Sequence, residues 1–291
     1  MPDLTHDATA RTVDTPRGPL HYHEAGEGPP LLLLHGSGPG VSAWANYRGN
    51  LPVFAEHFRT LALDFPGFGK SYSPEGNPMP AALPAVVDFL DALGLGAVPV
   101  LGNSMGGNVA ARLAATFPER VSRLVTIGGI GVPVFGAAPP EGIKLLVQFV
   151  EDPTHERLMA WMESMVFSTD ILTEEFVELR WQAASDPAAL ADVRKLFNFG
   201  SLRAMGAGRT AQAVDAVDVL SRITAPTLIT WGRDDRVTPL DGCLVAMRLI
   251  AQAELHVFHD CGHWAMIERK EEFESTVLGY LLRDVKQPER L

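Results

Sequence analysis

Residues 98–101 form a short apolar run, residues 107–116 carry the spacing of a helix, and between them stands Gly102-Asn103-Ser104-Met105-Gly106-Gly107. A serine at so tight a strand-to-helix turn is forced into strained dihedrals that lift its hydroxyl clear of the sheet. Glycines two before and two after it are needed, because side chains there would collide with the neighbouring strand and helix. The helix N-terminus that follows adds positive potential where an oxyanion would form. The motif predicts Ser104 as a nucleophile. Because the position holds serine, chemistry that needs a carboxylate nucleophile at this turn is disfavoured.

The rest of the chain repeats the strand-then-helix pattern. Apolar runs at 20–22, 31–34, 60–63, 98–101 and 124–127 alternate with helical patterns such as 85–93 and 107–116. The pattern resumes with a strand at 227–231, a helix around 240–251, a strand at 254–258 and a last helix near 271–282. Near-continuous apolar strands separated by helices predict an α/β protein with a mostly parallel sheet covered on both faces. From about 141 to 209 no strand pattern appears. Pro133, Pro139 and Pro140 punctuate the start of that stretch, and Gly206 and Gly208 its end. We read a core of residues 1–135 and 211–291 and a helical lid of residues 136–210, set over the carboxyl ends of the strands where ligands bind.

A nucleophilic serine needs a base, and the base needs an orienting acid. Trp231-Gly232-Arg233-Asp234-Asp235-Arg236-Val237-Thr238-Pro239 places acids in the loop after a strand, and Asp235 is taken as the orienting acid with Asp234 as its fallback. Asp260-Cys261-Gly262-His263-Trp264 follows the last strand, so His263 is the base. His21, His23 and His256 lie in or next to strands, His259 is at a strand edge, and His35 reads as the prop of a glycine-rich loop. The order Ser, Asp, His is that of the α/β-hydrolase fold. Two backbone N–H groups should form an oxyanion hole, one from Met105 and one from the loop His35-Gly36-Ser37-Gly38-Pro39-Gly40, where Ser37 is the candidate.

Composition narrows the partners. A formal net charge of −11 argues against nucleic acid, because neutralising phosphates needs clustered Lys and Arg. Residues 1–11 are polar and lack the apolar core of a signal peptide, and no apolar run is long enough for a bilayer; a cytoplasmic chain without membrane contact is expected. Cys243 and Cys261 read as small buried hydrophobes rather than a disulfide framework. His256-x-x-His259 has no matching third ligand, so no metal is expected.

The loop at 35–40 followed by Trp44-Ala45-Asn46, together with Asp64-Phe65-Pro66-Gly67-Phe68-Gly69-Lys70-Ser71, the elbow, Gly232-Arg233-Asp234-Asp235 and Cys261-Gly262-His263-Trp264, resembles the meta-cleavage product hydrolases. These are C–C bond hydrolases of bacterial aromatic and steroid ring degradation, and the likeness covers nearly the whole chain. It implies a 2-hydroxy-6-oxo-dienoate substrate, no cofactor, and a homodimer or higher homo-oligomer. It also implies substrate-binding roles for Asn46, Asn103, Arg180 and Trp264, with Phe167 lining the pocket. Arg180 makes chemical sense of its own, since a guanidinium binds a carboxylate bidentately. Pro78, Pro80 and Pro84 depart from the family pattern and should delay or kink the helix there. The rivals are a carboxylesterase or lactonase using the same triad, and a ligand receptor that has lost turnover.

Overall fold

The structure, a computed structural model, describes residues 4–132, 135 and 139–283. Pro133, one of the prolines before the helical stretch, lies outside the described residues. Eight strands form one sheet: β1 (Ala10–Thr15), β2 (Gly18–Ala25), β3 (Pro30–Leu34), β4 (Arg59–Leu63), β5 (Val98–Asn103), β6 (Val121–Ile127), β7 (Thr227–Gly232) and β8 (Ala253–Phe258). Their order is β1-β2-β4-β3-β5-β6-β7-β8. β1 pairs antiparallel with β2 and β2 antiparallel with β4, and every later pairing is parallel. This is the expected α/β sheet, and its central strands read as apolar runs because both faces are covered. All six residues of β7 are buried, as are Leu31, Leu32, Leu33 and Leu34 of β3.

In chain order the helices are α1 (His6–Thr9), α2 (Ala43–Tyr47), α3 (Leu51–Phe54), α4 (Met79–Ala92), α5 (Met105–Thr116), α6 (Glu141–Glu151), α7 (His155–Met165), α8 (Glu174–Ser185), α9 (Pro187–Leu196), α10 (Phe199–Ala207), α11 (Arg209–Ser221), α12 (Gly242–Leu249), α13 (Ala265–Glu268) and α14 (Lys270–Leu281). α5 packs on β3, β5 and β6, whereas α12 packs on β7 and β8. α6 to α11 follow one another between β6 and β7. Thr154, Thr173, Asp186 and Asn198 start four of these helices by accepting backbone N–H groups at their first turns. α11 turns back onto α5 and α12.

Two sequence expectations change. β1 was not read as a strand, because it is an edge strand whose six residues are all exposed or half-exposed and carry no apolar run. α4 begins at Met79 rather than near 85, so the prolines do not delay it. Pro80 falls in the first turn, where the missing N–H has no partner to lose, and only Pro84 lies inside the helix.

Register sets the site. Leu34 stands beside Gly102, Asn103 beside Ile127, Ile127 beside Thr230, and Gly232 beside Phe258. The carboxyl ends of β3, β5, β6, β7 and β8 are therefore level. The loops that leave them all open on one edge of the sheet.

Candidate active site

Ser104 sits between β5 and α5 at φ 53°, ψ −114°, a conformation costly for any side chain. Its own N–H is tied to Ile127 O at 2.9 Å, which holds the turn against β6. Gly106 explains why the motif needs glycine: a Cβ there would stand 2.2 Å from Leu34 O. After β6, Gly128 and Gly129 let two parts of the site approach. A Cβ on Gly129 would meet Ser104 O at 2.0 Å, and one on Gly128 would lie 3.4 Å from His263 Cε1 and 3.6 Å from Asp235 Oδ2. Serine, imidazole and carboxylate thus converge around one glycine pair.

His263 Nδ1 lies 2.7 Å from Asp235 Oδ2, and both side chains are almost wholly buried. With Asp235 facing Nδ1, the proton belongs on that nitrogen, and Nε2 is left as an acceptor for a serine hydroxyl. Asp235 also accepts the Val237 and Thr238 N–H groups on Oδ1, at 2.7 and 2.8 Å, and the Thr238 hydroxyl on Oδ2 at 2.7 Å. Asp234 instead faces Arg233 and the Cys261 amide. Of the two acids, Asp235 is the one beside the histidine. The His263 N–H donates to Met165 O at 2.7 Å, so the last turn of α7 steadies the histidine loop.

Met105 opens α5 directly after Ser104. The backbone of Gly36 lies against the elbow, since a Cβ there would be 2.8 Å from Asn103 Oδ1 and 3.4 Å from Ser104 Cβ. Among the described residues the Ser37 and Met105 N–H groups make no hydrogen bond, which suits donors kept for an oxyanion. His35 props the loop from below: Phe65 N–H donates to its Nε2 at 3.0 Å, and Nδ1 lies 2.6 Å from Gly36 O.

The residues implied by family resemblance separate into three groups. Arg180, on α8, is 6% exposed, and its Nη1 donates to Gly40 O at 3.0 Å. Its guanidinium stands 5.5 Å from the Trp264 ring centre and 5.9 Å from that of Phe176. Among the described residues it forms no ion pair, and burial, with Arg48 nearby, pushes its pKa down to about 10. Asn46 accepts the Gly36 N–H on Oδ1 at 3.3 Å, while its buried Nδ2 has no partner. Both side chains present unused donors. Asn103 is different: its Nδ2 is already committed to Ile127 O at 3.1 Å, leaving it to position the elbow. Trp264 is buried edge-on against Trp161 and Phe176. Phe167, implied as a pocket residue by the resemblance, is 51% exposed. Its N–H donates to Glu268 Oε2 at 2.6 Å.

Two residues escaped the sequence reading. Thr238 touches the acid, as described. Glu268 on α13 accepts both the Phe167 N–H and, at 2.8 Å, the Gly262 N–H, joining the segment after α7 to the histidine loop. Burial raises its carboxyl pKa. Thr238 lies within the Trp231–Pro239 motif, but its contact with the acid depends on how that loop folds, and Glu268 falls in no motif.

Around Gly129 and Thr238 a cavity of about 350 Å³ is lined also by Ile130, Ile143, Trp231 and Val237, among others. Among the described residues no group of three His, Cys, Asp or Glu side chains is arranged to hold a metal ion, and no helix is long and apolar enough to cross a membrane.

Comparison with known proteins agrees with this geometry. Residues 29–270 match the α/β-hydrolase fold family. A 2-hydroxy-6-oxo-6-phenylhexa-2,4-dienoate hydrolase of Comamonas testosteroni is 38% identical over 90% of this chain and 91% of its own length. A 2-hydroxy-6-oxononadienedioate/2-hydroxy-6-oxononatrienedioate hydrolase of Pseudomonas putida is 40% identical over 97% of this chain and 99% of its own. The solved structure of a meta-cleavage product hydrolase of Pseudomonas fluorescens superposes with a TM-score of 0.84 at 30% identity, over 93% of this chain and 97% of that one. With the sheet order, the elbow and these matches in agreement, the chain belongs to the α/β-hydrolase fold family and, within it, to the meta-cleavage product hydrolases.

Proposed function

We propose that this enzyme cleaves the C5–C6 bond of a 2-hydroxy-6-oxo-hexa-2,4-dienoate, with Ser104 as nucleophile, His263 as base and Asp235 as its orienting acid. The observation that carries the reading is Arg180, a buried guanidinium with no carboxylate partner among the described residues. Leaving a charge buried and unpaired is costly, and a substrate carboxylate would supply the missing counterion with bidentate geometry. The unpartnered Nδ2 of Asn46 and the face of Trp264 complete that end of the site. A simple ester needs no such clamp.

The chemistry follows from the arrangement. The bound dienol loses its 2-hydroxyl proton as C5 takes one up, and becomes the 2-keto tautomer. Ser104 Oγ then adds to the C6 carbonyl as its proton passes to His263 Nε2, and the Ser37 and Met105 N–H groups hold the oxyanion. Collapse breaks the C5–C6 bond, and its electron pair delocalises through C4 and C3 onto the C2 oxygen. That charge develops next to the carboxylate held by Arg180. The proton held on His263 Nε2 passes to the C2 oxygen to give a 2-hydroxydienoate, and water, activated by the His263 thus made neutral, releases the acyl group from Ser104 as a carboxylic acid. No cofactor enters this scheme. The C6 substituent would occupy the 350 Å³ cavity beside Gly129 and Thr238, and residues 136–210 would act as a lid over the site. We place the enzyme in the cytoplasm as a homodimer or higher homo-oligomer. The apolar side chains of Val214, Leu244 and Met247, exposed on α11 and α12, support that assembly, and its mass in solution is the check.

The discriminating test compares a 6-phenyl dienoate with a p-nitrophenyl ester in wild type and Arg180→Met. The dienoate should be preferred by the wild type. The variant should lose about a hundredfold or more in kcat/KM on the dienoate, because a partner of a desolvated ion pair is removed, and little on the ester. A wild type that turns over only the ester contradicts the proposal.

A further inference from the structure

Thr238 stands at the centre of the Asp235–His263 pair without belonging to it. Its Oγ1 lies 2.7 Å from Asp235 Oδ2 and 3.3 Å from His263 Nδ1. The same Oδ2 takes the Nδ1 proton at 2.7 Å. The hydroxyl has one proton, and only the carboxylate can accept it, so its lone pairs face Nδ1–H. Space for the hydroxyl is kept by the missing side chain of Gly128, whose Cβ would fall 2.8 Å from Oγ1. Oδ1 is already fixed by the Val237 and Thr238 N–H groups, so the hydroxyl is not needed merely to stop the carboxylate from turning.

We propose that Thr238 is a positioning residue of the triad: it donates to Asp235 Oδ2 and shares the His263 Nδ1 proton, holding the imidazole in the tautomer that leaves Nε2 for Ser104. This rests on the reading of Ser104, His263 and Asp235 as the catalytic groups. Two consequences follow. With two acceptors gathered at Nδ1, the other tautomer is doubly disfavoured. A donor on Oδ2 also draws off part of the carboxylate's charge, which limits how strongly Asp235 holds an imidazolium and favours return of the proton. The titratable groups packed around the pair are Asp234 on the same loop, Cys261 on the loop after β8 and Glu268 on α13.

The test measures kcat, KM and the pH dependence of kcat/KM for wild type, Thr238→Val, Thr238→Ser and Glu268→Gln, on both a dienoate and a p-nitrophenyl ester. In Thr238→Val, kcat should fall about tenfold with KM unchanged, the loss expected for a hydrogen bond to a charged group. The acidic limb should move up by about half a pH unit. Thr238→Ser should restore both. The proposal is overturned if Thr238→Val changes neither kcat nor the limb, if Thr238→Ser behaves like the valine variant, or if the limb moves in Glu268→Gln and not in Thr238→Val. Should the wild type leave the dienoate untouched, the substrate assignment fails, while the ester still reports on Thr238.

Discussion

Asp235 accepts hydrogen bonds on both carboxylate oxygens, and its neighbour Asp234 is turned to Arg233 and the Cys261 amide. Asparagine at 235 would keep the shape but could present its amide N–H to His263 and favour the wrong tautomer. Asp235→Asn should therefore lower kcat by about 10⁴-fold, whereas Asp234→Asn should stay within a few-fold; steady-state kinetics on one substrate separates them. A loss in Asp234→Asn as large as in Asp235→Asn would contradict the assignment. At this scale the elbow at Ser104 was legible because its constraint is local: glycines at 102 and 106 are demanded by the turn itself, and a Cβ on Gly106 would meet Leu34 O as that demand requires. Arg180 was less legible. A helical arginine is ordinarily solvated, and its burial arises only because α8 lies on Pro39 and Gly40, some 140 positions away in sequence.

Elements meet at Glu268. This half-buried carboxylate on α13 holds the Phe167 and Gly262 N–H groups together, so the end of α7 and the histidine loop keep one register. Glu268→Gln offers an N–H₂ to one of those donors and should loosen the segment that follows α7. KM for a dienoate, which needs the closed site, should rise several-fold, the equivalent of about 1 kcal/mol for one weakened charged hydrogen bond. KM for a small ester should change less. An equal rise for both substrates would speak against a link specific to the inserted helices. The strands β2 to β8 are all legible in the sequence, most plainly β3, β4 and β7, whose residues are almost all buried. β1 gave no such signal, and the Phe167 contact with Glu268 joins residues 101 positions apart, beyond the reach of any local pattern.

For the molecule as a whole, buried histidines set the response to acid. His23, on β2 with Nδ1 2.9 Å from Thr9 Oγ1, has its pKa pushed down to about 4 by burial, and burial also lowers that of His35. The folded protein keeps these groups neutral while the unfolded chain protonates them near 6.5. Their contribution is thus complete above about pH 6.5 and is lost as pH falls towards 4, up to about 3 kcal/mol for His23. Urea denaturation at pH 7 and pH 4.5 should show the midpoint falling, and His23→Gln should flatten the change; a midpoint independent of pH over that range would be inconsistent with neutral buried histidines. The central claim is that Ser104 breaks a carbon–carbon bond. Its most direct test is stopped-flow absorbance of a 2-hydroxy-6-oxo-dienoate mixed with wild type and with Ser104→Ala. Rapid catalytic decay is expected in the wild type and a loss of about a thousandfold or more in the variant; decay at the wild-type rate without the serine hydroxyl would rule out Ser104 as the nucleophile.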